Sequence, residues 1–267
     1  MHWSIILSIV ALALAFYHFP SAPKHVDMAV APALRFLTVP ATTKHTATVI
    51  FVHGLGDTGY GWQPVADMFK TDGRLAHVKW LLPHSPIRPV TANMSIEMPS
   101  WFDIYGFGFN TEEDETNMLK SVGMLRELIR YEVETNGIDP SRILLGGFSQ
   151  GATMSILTGL TGEPKLAGIA ALSGWLPLRN KFKEMAIPSI TSSIPIWWGT
   201  GAQDALVKIE LSKRSVEFLT EQVGVPRAVP GVLGGLTYNI YEDIGHTTNE
   251  RELGELKEFI KKVLPPA

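Results

Sequence analysis

The chain has 267 residues, 45% hydrophobic and 18% charged, with 24 Gly and 18 Pro; this is material for one large core or two small ones, and it excludes disorder and collagen. A net charge of -3 without a long basic run lacks the electrostatic footprint of a nucleic-acid binder. The absence of cysteine removes disulfide frameworks, thiolate metal sites and Cys nucleophiles together, so any covalent nucleophile must be Ser, Thr, Lys or a carboxylate.

In chain order, the first feature is an apolar run from Trp3 to Phe19, with no formal charge until Lys24. As a helix it would span about 26 Å, slightly less than a bilayer core of about 30 Å. Residues 1–24 therefore read as an N-terminal hydrophobic segment ahead of a domain over residues 33–267. A membrane anchor, a cleaved secretory signal and a peripheral helix all fit the run, although only the α-amino group and His2 precede it where a signal carries basic residues. Lys24, Arg35 and Lys44 favour a cytosolic catalytic side by the positive-inside rule. The sequon Asn93-Met94-Ser95 is usable only in a lumenal domain.

Strand-length apolar runs follow at Leu34 to Val39, Thr48 to Val52, Val78 to Leu82, Ile143 to Phe148, Leu166 to Leu172, Ile194 to Trp198 and Thr237 to Tyr241. They lack a polar face, as strands buried on both sides do. Helical patterns lie between them at Gln63 to Lys70, Glu112 to Glu134, Gln150 to Leu160, Leu206 to Val223 and Asn249 to Val263. In the second, Thr111 is the expected cap and Met118, Val122, Leu125 and Ile129 form the apolar stripe. The acids Glu112, Glu113, Asp114 and Glu115 read as a solvated helix start rather than a metal site. This alternation predicts an α/β fold: a mostly parallel sheet, helices on both faces, and ligands at the carboxyl ends of the strands.

Two glycine motifs sit at such ends. His53-Gly54-Leu55-Gly56-Asp57-Thr58-Gly59 spells a dinucleotide fingerprint, but the following strand ends in Leu82-Pro83-His84-Ser85, without the acid that would hold a ribose. A nicotinamide oxidoreductase is thereby disfavoured. Gly147-Phe148-Ser149-Gln150-Gly151 lies between a strand and a helix, the setting of a nucleophile elbow: Gly on both flanks, Ser149 Oγ exposed, and the Gln150 amide at the helix start. Serine needs an imidazole base oriented by an acid, in the order Ser, acid, His. Of eight histidines only His246 follows Ser149, and the aspartates between them are Asp204 and Asp243. Asp204, beyond the strand Ile194 to Trp198, takes the acid's role by position.

The segments His53 to Gly59, Arg88-Pro89-Val90-Thr91, Met98-Pro99-Ser100-Trp101-Phe102-Asp103, Glu113-Asp114-Glu115, Gly146 to Gly151 and Leu172-Ser173-Gly174-Trp175-Leu176-Pro177-Leu178 together resemble the acyl-protein thioesterase / lysophospholipase-carboxylesterase family of α/β-hydrolases. The likeness runs from residue 34 to the Leu264-Pro265-Pro266 tail. It implies a cofactor-free, metal-free serine hydrolase of the α/β-hydrolase fold that cleaves S-palmitoyl thioesters on proteins, and often lysophospholipids or small esters, in the cytoplasm and, in some members, the nucleus. It implies Ser149 as nucleophile, Asp204 as acid, His246 as base, and the amides of Leu55 and Gln150 as oxyanion donors. Leu55, Met98, Trp101, Phe102, Trp175 and Leu176 are candidates for an apolar substrate groove, gated by the loop Tyr105 to Phe109. This chain departs from the family at Ala205, Lys208 and Gly174, at the Gly/Pro-rich insertion Gly224 to Gly235, and at the N-terminal apolar segment. The competing readings are a lysophospholipase or small-ester carboxylesterase with the same residues, and a non-catalytic lipid-binding relative.

Overall fold

The computed structural model describes residues 34–106 and 110–267; the apolar segment Trp3 to Phe19 and the last three residues of the expected gating loop, Phe107 to Phe109, lie outside them. The described elements are β1 (Phe36–Val39), β2 (Ala47–Val52), α1 (Gly59–Phe69), β3 (Val78–Pro83), β4 (Ile87–Val90), β5 (Ile96–Pro99), α2 (Glu115–Asn136), β6 (Ile143–Phe148), α3 (Gln150–Leu160), β7 (Gly168–Leu172), α4 (Arg179–Met185), α5 (Pro188–Thr191), β8 (Pro195–Gly201), α6 (Ile209–Phe218), β9 (Gly235–Tyr241) and α7 (Glu250–Val263). Seven strands form one sheet in the order β1-β3-β2-β6-β7-β8-β9, while β4 and β5 make a separate hairpin. Among the described strands of the large sheet, only β1 runs antiparallel.

Alternation along β2 shows why this sheet needs two helical layers. Ile50 and Val52 enter a core shared with Leu125 of α2, Leu157 of α3 and Val216 of α6. Val49 and Phe51 face the opposite core, with Ala66 and Phe69 of α1 and Leu256 and Ile260 of α7. Successive side chains of a strand point to opposite faces, so the uninterrupted apolar runs are what a sheet covered on both sides requires. Every residue of α3 is buried; Gly159 allows it to approach β7, since a Cβ there would press within 2.6 Å of the Ile169 side chain.

All seven expected strands and all five expected helices form. The hairpin β4–β5 and the short helices α4 and α5 had no periodic signal: four-residue strands interrupted by Pro89 and Pro99 carry no alternation to read. The cap of α2 is a correction. Asp114, not Thr111, caps it, accepting from Asn117 N at 3.2 Å, and the helix starts at Glu115. Tertiary bonds select it, because the Asp114 carboxylate also holds Asp103 N at 2.8 Å. Glu113 turns to Leu178 N at 2.9 Å, and Glu115 pairs with Lys181 at 2.7 Å. The acidic cluster is thus divided among separate partners rather than converging.

The insertion Gly224 to Gly235 leads into the amino end of β9, whereas His246 follows its carboxyl end. It therefore lies across the sheet from the candidate site. The start of β1 lies at the other end: Phe36 pairs with Pro83, at the carboxyl end of β3.

Candidate active site

Three loops at the carboxyl ends of β6, β8 and β9 bring together side chains far apart in sequence. Ser149 sits between β6 and α3 with φ 55° and ψ -118°, a left-handed backbone that non-glycine residues rarely adopt. Its flanking glycines are sterically required. A Cβ at Gly147 would lie 2.6 Å from Val52 O and 2.5 Å from the Gly151 carbonyl carbon, and one at Gly151 would strike Val52 O. The neighbouring strand β2, as much as the helix, thus leaves no room for side chains there.

His246 Nε2 lies 3.0 Å from Ser149 Oγ, and His246 Nδ1 lies 2.7 Å from Asp204 Oδ2. The other carboxylate oxygen of Asp204 accepts from Leu206 N at 2.9 Å and Val207 N at 2.8 Å. Those two amides fix the carboxylate, the carboxylate places the ring proton on Nδ1, and Nε2 is left to accept from the serine hydroxyl. Asp243, the other aspartate in the interval, is exposed, and its carboxylate accepts from Asn249 Nδ2.

The loop bearing the acid and the loop bearing the imidazole are joined directly. Ala202 N donates to Tyr241 O at 2.8 Å, Gln203 N to Ile244 O at 3.0 Å, and Gln203 Nε2 to Glu242 O at 2.9 Å. Gly201 makes this approach possible, since a Cβ there would strike Ile244 O. The Phe148 ring, 4.8 Å from the His246 ring, supports the imidazole from the side.

The Gln150 backbone N–H belongs to the first turn of α3, where amides lack intrahelical acceptors. The fully buried Gln150 side chain turns away, to Trp101 N at 2.8 Å and Phe102 O at 2.7 Å. This second use of Gln150 had no sequence signal beyond the polarity of a residue inside an apolar neighbourhood.

In the turn after β2, Gly56 takes φ 77°. The first amide of α1, Gly59 N, donates to His84 Nδ1 at 3.1 Å. That imidazole occupies the helix start where a dinucleotide would place its phosphates, so the spelled fingerprint serves a different close approach. Leu55 and Met98 are half-buried beside this turn.

The other four candidates for the substrate groove lie deeper: Trp101 is 0%, Phe102 1%, Leu176 2% and Trp175 8% exposed. Phe102 and Trp175 meet edge to face at 6.0 Å and border a narrow cavity with Ile104, Met118, Glu113 and Arg179. Burial pushes the Glu113 carboxyl up, against the opposing pull of Arg179. These four residues are therefore backing to the rim rather than its open wall. A larger cavity, between Ile129 and Val133 of α2 and Gly159 near the end of α3, lies at the opposite end of α3 from Ser149 and takes no part in the site.

Comparison with known proteins agrees with this architecture. Residues 35–264 match the Phospholipase/Carboxylesterase family. The chain is 41% identical over 238 residues to acyl-protein thioesterase 1 of Cryptococcus neoformans, covering 87% of this chain and 98% of that protein. It is 39% identical over 236 residues to acyl-protein thioesterase 1 of Gibberella zeae, covering 86% and 96%. Among solved structures, Arabidopsis thaliana SOBER1 superposes with a TM-score of 0.73 at 29% identity, covering 82% of this chain and 99% of that one. With its fold, its strand-end serine turn and a match over nearly all the described residues, the chain belongs to the phospholipase/carboxylesterase family of α/β-hydrolases.

Proposed function

We propose that this protein is a serine hydrolase that cleaves long-chain acyl thioesters, S-palmitoyl groups on proteins foremost, through Ser149, His246 and Asp204. The observation that carries the reading is the pair of hydrogen bonds, 3.0 Å and 2.7 Å, joining side chains from three strand ends. His246 Nε2 takes the Ser149 proton as Oγ attacks the acyl carbonyl. Asp204 holds the imidazole tautomer and stabilises the imidazolium, while the Leu55 and Gln150 amides receive the oxyanion. The imidazolium then protonates the departing thiolate, leaving an acyl-Ser149. Water activated by the same imidazole releases the fatty acid and restores the serine. Every proton moves between Ser149, His246, the thiol and water, so the cycle needs no cofactor. The acyl chain is received over Leu55 and Met98, with Trp101, Phe102, Trp175 and Leu176 as apolar backing.

A lysophospholipase or small-ester carboxylesterase would use the same residues, and the family's description names phospholipases and carboxylesterases together. Relative kcat/KM on a palmitoyl-cysteine peptide, a lysophospholipid and a short-chain ester separates them. The thioesterase reading predicts the peptide to be favoured by at least tenfold. Equal or reversed preference assigns the alternative.

The relatives named acyl-protein thioesterase support an acylated protein as substrate, and Lys24, Arg35 and Lys44 after the apolar run favour a cytoplasmic membrane face as the place where it is met. Residues 3–19 would tether the domain there, and the pairing of Phe36 with Pro83 brings the chain into the sheet at the end that carries Ser149. Such a tether raises the local concentration of membrane-held substrates without new contacts. The full chain should co-sediment with lipid vesicles, and a Leu12→Lys/Leu14→Lys variant should not; equal sedimentation of the two would refute the tether.

A further inference from the structure

The hydrolytic cycle leaves two conspicuous sequence features unused: His53, directly before the glycine turn, and the run Pro99-Ser100-Trp101-Phe102. Both meet between Leu55 and Gln150. On the Leu55 side, Gly56 N donates to Pro99 O at 2.8 Å, and the Trp101 indole N–H donates to His53 O at 3.0 Å. On the Gln150 side, Trp101 N donates to Gln150 Oε1 at 2.8 Å, and Gln150 Nε2 donates to Phe102 O at 2.7 Å. One indole residue therefore links the two turns that carry the proposed donor amides, and His53, Trp101 and Gln150 are all fully buried.

The His53 ring adds a directional constraint. Its Nδ1 lies 2.7 Å from Gly54 O, and its Nε2 lies 3.1 Å from Ser85 N. A carbonyl can only accept and an amide can only donate, so Nδ1 carries the hydrogen and Nε2 is bare. Burial lowers the pKa of this ring, which favours the neutral form that the contacts demand. The Gly54–Leu55 peptide is trans, and in a planar trans peptide the C=O and the following N–H point in opposite directions. Holding Gly54 O against the imidazole therefore turns Leu55 N–H to the other side. Gly54 itself backs onto the serine turn, where a Cβ would come within 3.4 Å of Ser149 Cβ.

We infer that His53 and Trp101 are positioning residues that orient the Gly54–Leu55 peptide and fix its spacing from Gln150, holding both amides ready for the oxyanion. This rests on the oxyanion assignment of the preceding section. The effect should fall on the transition state and leave ground-state binding alone, because both side chains are fully buried behind the turns they hold.

The test uses the full chain, a long-chain acyl thioester substrate, and an alkyl boronic acid, whose tetrahedral serine adduct presents an oxygen to the same amides. His53→Leu removes both ring nitrogens. It should lower kcat by about 10²-fold, the scale of one lost oxyanion donor, with KM within threefold and boronic-acid affinity falling in parallel with kcat. His53→Asn, which returns a donor near the Nδ1 position, should recover at least tenfold of the lost kcat. Trp101→Phe, lacking the indole N–H, should show the same split at about tenfold. A folded His53→Leu with kcat within threefold of wild type overturns the inference. So does a loss in which KM rises while boronic-acid affinity holds. If His53→Leu does not fold, unchanged kcat and boronic-acid affinity in Trp101→Phe overturn it instead. A wild-type chain that neither hydrolyses the substrate nor binds the boronic acid would refute the hydrolase reading itself, which separates the two failures.

Discussion

Two ends of the same sheet treat buried carboxylates in different ways. At the amino ends of the strands, Glu132 of α2 is 0% exposed yet fully partnered: Thr48 Oγ1 donates at 2.6 Å, Lys79 Nζ at 2.7 Å and Asn136 Nδ2 at 2.8 Å. Near the carboxyl ends, Glu252 in the first turn of α7 is equally buried, against Gly199 of β8, and neither of its side-chain oxygens has a hydrogen-bond partner among the described residues. Burial, with the Glu255 charge added, pushes its pKa up to about 8. Asp204 at the same end is held by two amides and an imidazole. Buried charge is tolerated where it is fully bonded, and otherwise the group keeps its proton. The foot of the sheet is thus organised for stability. The rim concentrates its hydrogen bonding on one carboxylate and leaves the other uncharged at neutral pH.

The largest expected difference between the two ends is catalytic. Ser149→Ala or His246→Ala should each lower kcat on the order of 10⁶-fold with the melting temperature nearly unchanged, and the double variant should be scarcely worse. Additive losses would contradict a triad acting as a unit. Asp204→Asn, which retains the shape but presents the wrong hydrogen to the imidazole, should lower kcat by about 10⁴-fold.

At the foot the pattern should invert. Glu132→Ala leaves Thr48 and Lys79 without their shared acceptor and should lower unfolding stability by about 3 kcal/mol, with kcat/KM of the folded fraction within twofold of wild type. A large kcat effect there would break the division between the two ends.

The effect expected at Glu252 shows only as a dependence of stability on pH. A carboxyl whose folded pKa lies near 8, against an ordinary value near 4.5, binds its proton more tightly in the native state. Its stabilising contribution is complete below pH 4.5 and is lost as pH rises to about 8, with a slope of at most about 1.4 kcal/mol per pH unit. Glu252→Gln cannot ionise, so its melting temperature should gain on wild type steadily across that window and then level off. Parallel pH profiles for the two proteins would show that Glu252 ionises freely in the native state.

Much of the fold was legible because burial on both faces leaves an unmistakable mark: strands such as Thr48 to Val52 and Ile143 to Phe148 have no polar side to confuse the pattern. The imidazole was legible by elimination, since one histidine alone follows Ser149, and strand order favoured Asp204 over Asp243. The hairpin β4–β5 was not, because its partners are each other and its residues carry no core periodicity. Nor was the cap of α2, where the tertiary bond from Asp103 N to Asp114 outweighs the local preference for Thr111. The buried work of His53, Trp101 and the Gln150 side chain was hidden for a similar reason. Hydrogen bonds across 48 or 49 positions, such as Trp101 Nε1 to His53 O and Trp101 N to Gln150 Oε1, have no signature in local sequence.

The most direct test of the hydrolytic account is covalent labelling of the full chain with an alkyl fluorophosphonate, followed by peptide mass spectrometry. One adduct per chain on Ser149, with labelling slowed at least a thousandfold in His246→Ala, is the predicted result; this scale reflects loss of the general base. Labelling at another residue, no labelling in the folded protein, or an undiminished rate without the imidazole would contradict it.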